Sequence, residues 1–373
     1  MSTGGDGASS LRATEEISSA HDVAELVEGV CGLFGEDSCL HAVDHAVERL
    51  VPVLHEGEEV ELEGELRAAL LRGDVAIHGG EAWVPLLERH QPVFVVRVPR
   101  ALAPGVVEAP RTLGAVMRVS RSRFEDLGRS RRRGDMSVAA ELQWDLLPTS
   151  ADSLGAYDVA GVLEPAYEVA GDVFDYALSD GALWAYSLDG MGHGVAATMS
   201  SVLVLAALRN ARREGADLVE QMAHAARTLH DQHGGDRFVT GVACRLDGDG
   251  TVTVVNAGHE PLRTVVAGAV SRLDLDVDLP LGVDPGAAYH EQAAGTLSPG
   301  DGLVLFSDGP SSAASPDGDG FGDDRLDAAL AARWPFDPLV VGHGVLGDVL
   351  AFVGEGSIRD DLTAVVVRRR LDA

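Results

Sequence analysis

The sequence predicts an α+β protein in which strands and helix pairs come in runs, so that layered sheets are covered by helices instead of being wound into one parallel sheet. Two observations carry this expectation. The segments DVAGVLEPA, ALWAYSLD, RFVTGVACRLD, TVTVVNAG, GLVLFSD and LTAVVVRR have strand character, while VAATMSSVLVLAALRNARR and ADLVEQMAHAARTLHDQ are long helical stretches between them. In addition, aspartates stand at the end of one apolar run after another, mostly beside glycine: Asp172 in AGDVFD, Asp189 in WAYSLDGMGHG, Asp308 in LVLFSDG, and Asp360 and Asp361 in RDDLTAVVV.

In chain order, residues 1–20 are small and polar, lack the apolar core of a signal peptide and are expected to form a disordered lead. Residues 21–111 are expected to form a small α/β regulatory or sensor domain. There DVAELVEGVCGLF, CLHAVDHAVERLVPVL and VELEGELRAALLRG carry helical spacing, and VAIHG, AWVPLL and PVFVVRV read as strands. The stretch WVPLLERHQPVFVVRV resembles a GAF-like sensor. Residues 112–147 read as a helical linker: Leu113, Met117, Phe124 and Leu127 share one stripe, RSRRRGD breaks it, and Pro148 ends the helix after SVAAELQWDLLP. That stripe suits either a seam with a second copy, giving a homodimer, or packing on its own domain. The remaining residues, 148–373, form the predicted catalytic domain.

Composition narrows the function. A chain of 373 residues with 46% hydrophobic content has the length of about two domains and can fill their cores. A formal charge of −30 disfavours nucleic acid and anionic membranes as partners. All the positive charge is arginine, since the sequence has no lysine. Cys31, Cys39 and Cys244 show no zinc-site spacing and are read as reduced thiols of a cytoplasmic protein. No apolar run approaches the ~18 residues of a membrane span.

Carboxylates delivered by four distant segments suggest a cluster of hard oxygen ligands suited to Mg²⁺ or Mn²⁺. One aspartate beside a glycine is usually a turn residue, so the signal lies in their number and order. Asp175 and the acidic string at 317–324 are expected to be solvated loop charges. In GMGHGVAA, Gly192, Gly194 and Ala197 also satisfy G-x-G-x-x-A, a dinucleotide fingerprint. A second parallel strand with an acid ~20 residues on should then follow, whereas Glu214 and Asp217 sit in a turn leading to another helix.

The ordered motifs LEPAYEVAGDVFDYAL, SLDGMGHGVAATMSS, NAGHEPL, DLPLGV, LSPGDGLVLFSDG and RDDLTAVVV resemble those of the metal-dependent type 2C (PPM) protein serine/threonine phosphatases, in particular the bacterial SpoIIE-like branch. The resemblance implies an αββα sandwich and hydrolysis of phosphoserine or phosphothreonine by a water activated between two Mn²⁺ or Mg²⁺ ions. It implies that Asp172, Asp189 and the Gly190 carbonyl bind metal together, with Asp308 and Asp360 holding the second ion. The sequence alone leaves Asp361 open as the last ligand. The implied substrate is a phosphorylated anti-sigma-factor antagonist in a partner-switching pathway. Met191 stands where other branches carry histidine, which leaves the general acid unassigned; His193 and His259 are the histidines inside the motifs. Ala170 replaces a favoured glycine, and SDGPSSA a longer acidic helix start. The alternatives are a phosphatase-fold scaffold and a hydrolase of small phosphoesters.

Overall fold

The structure is a computed structural model that describes residues 23–34, 37–43, 49–53, 59–62, 64–72, 74–88, 91–99, 146–148, 150–164, 171–354 and 358–372. The expected lead, the connector stripe of Leu113, Met117, Phe124 and Leu127, and Ala170 lie outside the described residues. The chain divides into two compact units, residues 1–135 and 136–373.

In the first unit, strands β1 (Cys39–Val43), β2 (Arg49–Pro52), β3 (Val60–Glu61), β4 (Ala76–His78), β5 (Glu81–Glu88) and β6 (Gln91–Pro99) form one sheet in the order β3-β2-β1-β6-β5-β4. Every pairing in it is antiparallel. Helix α1 (Val23–Phe34) places Leu26, Val30 and Phe34, spaced by four, in one core with Leu40, Ala42, Val84, Leu86, Phe94, Val96 and Val98 of the sheet. Helix α2 (Gly64–Arg72) buries Leu66, Ala69 and Leu70.

Two expectations fail here. The described residues of CLHAVDHAVERLVPVL are not helical but form β1 and β2, and Val60–Glu61 is a strand ahead of a helix that begins only at Gly64. Leu40, His41, Ala42 and Val43 are all buried, so β1 is covered on both faces. A strand without alternation cannot be told from a buried helical segment by periodicity.

The second unit contains strands β7 (Ala151–Leu154), β8 (Tyr157–Glu164), β9 (Asp172–Ser179), β10 (Ala182–Gly190), β11 (Val239–Leu246), β12 (Thr251–Ala257), β13 (Arg263–Val266), β14 (Ala269–Arg272), β15 (Gln292–Thr296), β16 (Gly302–Phe306) and β17 (Leu362–Arg369). Its helices are α3 (Val195–Arg213), α4 (Leu218–His233), α5 (Gly309–Ser312), α6 (Gly322–Arg333) and α7 (Pro338–Val353). The strands build a five-stranded sheet, β15-β12-β11-β10-β9, and a six-stranded sheet, β14-β13-β16-β17-β8-β7.

Alternation along the strands explains the layering. In β10, Leu183 and Ala185 join the core shared with Val159, Phe174, Val242, Cys244, Leu303, Leu305, Val365 and Val367, which lies between the sheets. The intervening Trp184, Tyr186 and Leu188 pack with Val204, Leu208, Met222 and Leu229 of α3 and α4. Helix α7 covers the other sheet over β8 and β17, and a Cβ on Gly342 would come within 2.8 Å of Val162. The result is the predicted αββα sandwich. Asp217 caps α4 in a reciprocal box with Glu220. Strand β10 is antiparallel to both neighbours, so GMGHGVAA does not open a Rossmann unit.

Two acidic positions differ from expectation. Asp175 is not a solvated loop charge: it is 3% exposed on β9 and accepts hydrogen bonds from Arg209 (2.8 and 3.1 Å) and Arg212 (both 3.2 Å) of α3. In the acidic string, Asp317 and Asp319 are exposed, whereas Asp323 pairs with the buried Arg263 and with Arg272. The two flanking cations offset the cost of taking this carboxylate out of water; removing it leaves Arg212 buried, and Arg209 half-buried, without their anion. Asp175→Ala is therefore expected to lower the unfolding free energy by about 3 kcal/mol in a urea titration followed by tryptophan fluorescence. A loss below about 1 kcal/mol would mean the cluster behaves like a surface pair.

Candidate active site

At one end of the sandwich, each inner row of side chains changes from apolar to polar, β10 one inward-facing position before its neighbours β9 and β11. In β10, Leu183 and Ala185 give way to Ser187 and Asp189; in β9, Tyr176 and Phe174 give way to Asp172; in β11, Cys244 and Val242 give way to Thr240. In the facing sheet, Leu303 and Leu305 lead to Ser307, and Val367 and Val365 lead to Thr363 and Asp361. Register aligns these endings: Asp189 is opposite Asp172 on one side and Thr240 on the other, and Phe306 pairs with Ala364.

Hydrogen bonds join the two sheets at this end. The Asp361 carboxylate accepts from the backbone N–H of Gly171 (3.0 Å) and of Asp172 (3.2 Å), and Thr363 Oγ1 donates to Asp172 Oδ2 at 2.5 Å. Ser307 Oγ donates to the Asp361 carbonyl and accepts from Thr363 N–H. Asp360 Oδ1 accepts from Asp361 N–H at 2.9 Å. Burial is graded: Asp172 and Asp361 lie on the floor, Asp189 and Asp360 are half-buried, and Asp308, at the N-terminus of α5, is exposed.

Glycines bring backbone into this space. A Cβ on Gly190 would stand 2.5 Å from Ser201 Oγ and 2.7 Å from the Ala197 carbonyl, and one on Gly171 would stand 2.8 Å from the Gly190 carbonyl oxygen. Ser201 Oγ donates to the Gly171 carbonyl at 2.6 Å, so α3 holds both strand ends. Positive φ at Gly192 (87°) and Gly194 (74°) turns the chain into that helix.

The carboxylates perturb one another. Burial, and then the charges of Asp308, Asp360 and Asp361, push Asp189 up to about 7. Burial and then Asp308 push Asp360 up to about 6. Asp172 is held well above the usual carboxylate range by burial, Asp189 and Asp361, against hydrogen bonds from Ser307 and Thr363. Among the described residues, no three acidic, histidine or cysteine side chains already converge as a closed ligand shell. The mutual shifts nevertheless make these carboxylates electrostatic neighbours, and an acidic cluster of this kind is relieved by a cation. In donor type and neighbourhood, four carboxylates and a carbonyl suit a hard divalent ion.

The structure thus brings Asp172, Asp189, Gly190, Asp308 and Asp360 to one end of the sandwich and adds residues the sequence reading missed. Ser187, Thr240, Ser307 and Thr363 look like ordinary strand residues until the register is known. Glu260 was also passed over. It is half-buried, and its carboxyl is raised by burial and by Asp308 and Asp323, against Arg263. His193 is exposed on the glycine loop, while His259 is buried beneath the carboxylates.

An antiparallel αββα sandwich with acidic residues at the ends of its central strands is the architecture of PPM-type phosphatases. Residues 179–370, just over half of the chain, match the SpoIIE family, stage II sporulation protein E. The chain belongs to that family. It is similar to protein IcfG of Synechocystis, with 26% identity over 270 residues, 64% of this chain and 42% of that protein. It is also similar to the phosphoserine phosphatase RsbU of Bacillus subtilis, with 22% identity over 250 residues, 64% of this chain and 71% of that protein. The chain therefore spans about two-fifths of IcfG. Among solved structures, the RsbU and RsbW domains of a Mycobacterium tuberculosis protein superpose with a TM-score of 0.50 at 22% identity, covering 60% of this chain and 63% of that one, a likeness of fold. Among the described residues, no helix is long and apolar enough to cross a membrane.

The raised carboxylates set a pH dependence. In chelator, Asp189 with a pKa near 7, against 3.8 ordinarily, keeps a proton in the folded state that the unfolded chain has released. That contribution to stability is complete below about pH 4 and is lost as pH rises through about 7. Asp360 acts in the same direction, with its upper edge at about 6. Asp189→Asn cannot ionise, so the fall in melting temperature between about pH 5 and about pH 8 is expected to shrink by at least ~3 °C relative to wild type. Equal slopes in scanning calorimetry would show that Asp189 is not perturbed.

Proposed function

We propose that the chain is a metal-dependent protein serine/threonine phosphatase. The observation that carries the proposal is the registered pair Asp172 and Asp189, with Asp308 and Asp360 close enough to share their electrostatic field. In this reading Asp172, Asp189 and the Gly190 carbonyl hold two Mn²⁺ or Mg²⁺ ions together, and Asp308 and Asp360 complete the second. Asp360 is preferred over Asp361 as the last ligand, because Asp361 Oδ2 already accepts two backbone N–H groups and ties β17 to the start of β9. When bound, the ions supply charge neutralisation for a phosphate and acidification of a water. The protein's own contribution is placement: Thr363 fixes Asp172, Ser201 fixes Gly171, and the strand register fixes Asp189. Cys244 is buried on β11 and burial pushes its thiol up, so it is a poor nucleophile for a covalent route.

The proposed substrate is a phosphorylated anti-sigma-factor antagonist, in keeping with similarity to a protein named a phosphoserine phosphatase and to a solved protein that joins an RsbU domain to an RsbW domain. The first unit is read as a sensor of GAF-like kind. The connector, 112–147, is read as its route of control and as a homodimer seam, leading into the phosphatase domain at 148–373.

Hydrolysis of an aryl phosphate and of a phosphorylated antagonist by the full chain is expected to require added Mn²⁺ or Mg²⁺ and to stop in excess chelator. Full turnover in chelator would sink the two-cation mechanism, and turnover of the aryl phosphate alone would redirect the substrate towards small phosphoesters. Asp308→Asn is expected to reduce turnover by roughly a hundredfold while leaving the circular dichroism spectrum unchanged. A rate near wild type would show that the site is misplaced, and a wild-type protein that binds Mn²⁺ without turnover would indicate a scaffold.

A further inference from the structure

Beneath the carboxylates lies a layer of neutral hydrogen-bonding groups that the reaction proposed above leaves unused. Ser187 precedes Asp189 by two residues on the same face of β10, and Thr240 is the register partner of Asp189 on β11. The ring of His259 bridges them, with Nε2 3.1 Å from Ser187 Oγ and Nδ1 3.1 Å from Thr240 Oγ1. Its backbone is fixed too: His259 N–H donates to Asn256 Oδ1 at 2.8 Å, and Asn256 Nδ2 donates back to the His259 carbonyl at 3.0 Å.

The environment selects the neutral ring. His259 is 6% exposed, and burial holds its pKa down at about 4, opposed only by the backbone carbonyl of Phe306. Phe306 itself lies two residues before Asp308. A neutral imidazole carries one donor and one acceptor nitrogen, and either tautomer is satisfied because both hydroxyl partners can donate or accept. A buried ring with both nitrogens engaged is poorly placed to pass protons to a leaving group. It is well placed to hold two strands at a fixed separation.

We propose that His259 is a positioning residue for Asp189, clamped between Ser187 and Thr240 so that β10 and β11 present that carboxylate at the height the cations need. The proposal rests on the two-cation reading of the site. Its physical basis is that loss of the ring leaves the buried Ser187 hydroxyl and the half-buried Thr240 hydroxyl without their bridge, at the point where the sandwich changes from apolar core to charged mouth. A displacement of about 1 Å there is enough to cost a large part of a catalytic rate.

The test uses the full chain and two readouts: Mn²⁺ affinity from the electron paramagnetic resonance signal of the free ion, and kcat and KM on p-nitrophenyl phosphate. His259→Ala is expected to weaken Mn²⁺ binding about tenfold and to lower kcat with little change in KM. Ser187→Ala and Thr240→Val, which each delete one hydroxyl, should shift both readouts in the same direction by a smaller factor. In the His259→Ala background they should add less than about twofold, since all three act through one bridge. Cys244→Ala lies on the same row of β11 but within the apolar layer, and so sets the scale for simple destabilisation; it should lower the melting temperature while keeping Mn²⁺ affinity within about twofold. If His259→Ala does not fold, the two hydroxyl deletions carry the comparison. Wild-type Mn²⁺ affinity in these variants, or losses no larger than those of Cys244→Ala, would overturn the positioning role alone. A wild-type chain that neither binds Mn²⁺ nor hydrolyses the ester would overturn the two-cation reading, and this inference with it.

Discussion

The site depends on a single constraint, the two-residue alternation of strands locked between two layers of core. Trp184, Tyr186 and Leu188 commit one face of β10 to the helices, so Leu183, Ala185, Ser187 and Asp189 must face the opposing sheet. A slip of one residue would turn Asp189 towards α3 and bury a carboxylate among Val204, Leu208 and Met222, a large penalty. The hydrophobic layers therefore fix more than stability. They fix which side chains stand at the mouth, because β9, β11, β16 and β17 obey the same rule.

Holding acids together in this way costs free energy, and the structure shows how that cost is distributed. The floor carboxylates are the best satisfied: Asp361 takes two backbone N–H groups and Asp172 takes the Thr363 hydroxyl. Burial and the neighbouring acids nevertheless hold Asp172 well above the usual carboxylate range, and the same two causes make Asp189 and Asp360, higher up, keep protons to unusually high pH. Rigidity below and unrelieved charge above suit a metal site whose ligands are aimed before the ion arrives. The neutral layer of Ser187, Thr240 and His259 separates that charge from the apolar core, so no carboxylate has to sit directly on Ala185 or Val242.

Much of this was legible in the sequence, for identifiable reasons. Helix α3 was read at its true limits because its apolar spacing is regular and a glycine loop precedes it. The acidic positions stood out because each lies at one end of a buried strand whose apolar run is unmistakable: Asp172 opens β9, Asp189 is near the end of β10, Asp308 follows β16 and Asp360 precedes β17. Helix α7 was not read: its Gly342 and Gly344 lower helix propensity. They are there because Val162 and Arg333 approach too closely for a Cβ. The hydroxyl layer was invisible for a different reason. Serine and threonine within a strand carry no signal of their own, and only the pairing of β10 with β11 and of β11 with β12 makes Ser187, Thr240 and His259 neighbours. In the first unit, β1 was misread because burial on both faces erases the alternation that separates strand from helix, and β2, only four residues long, is too short to show a period.

Asp172 and Asp175 show how far local sequence can decide a role. Both lie in AGDVFDYAL on one strand, three residues apart, so alternation sends them to opposite faces. Asp172 enters the space between the sheets, where its nearest charges are Asp189 and Asp361 and its proton is held tightly. Asp175 faces α3, where Arg209 and Arg212 arrive three residues apart on one helix face and its charge is fully matched. Composition and motif spacing treat the two as similar acids, one beside a glycine and one not. What separates a ligand candidate from a structural ion pair is the side of the sheet each occupies and the sign of the charge waiting there.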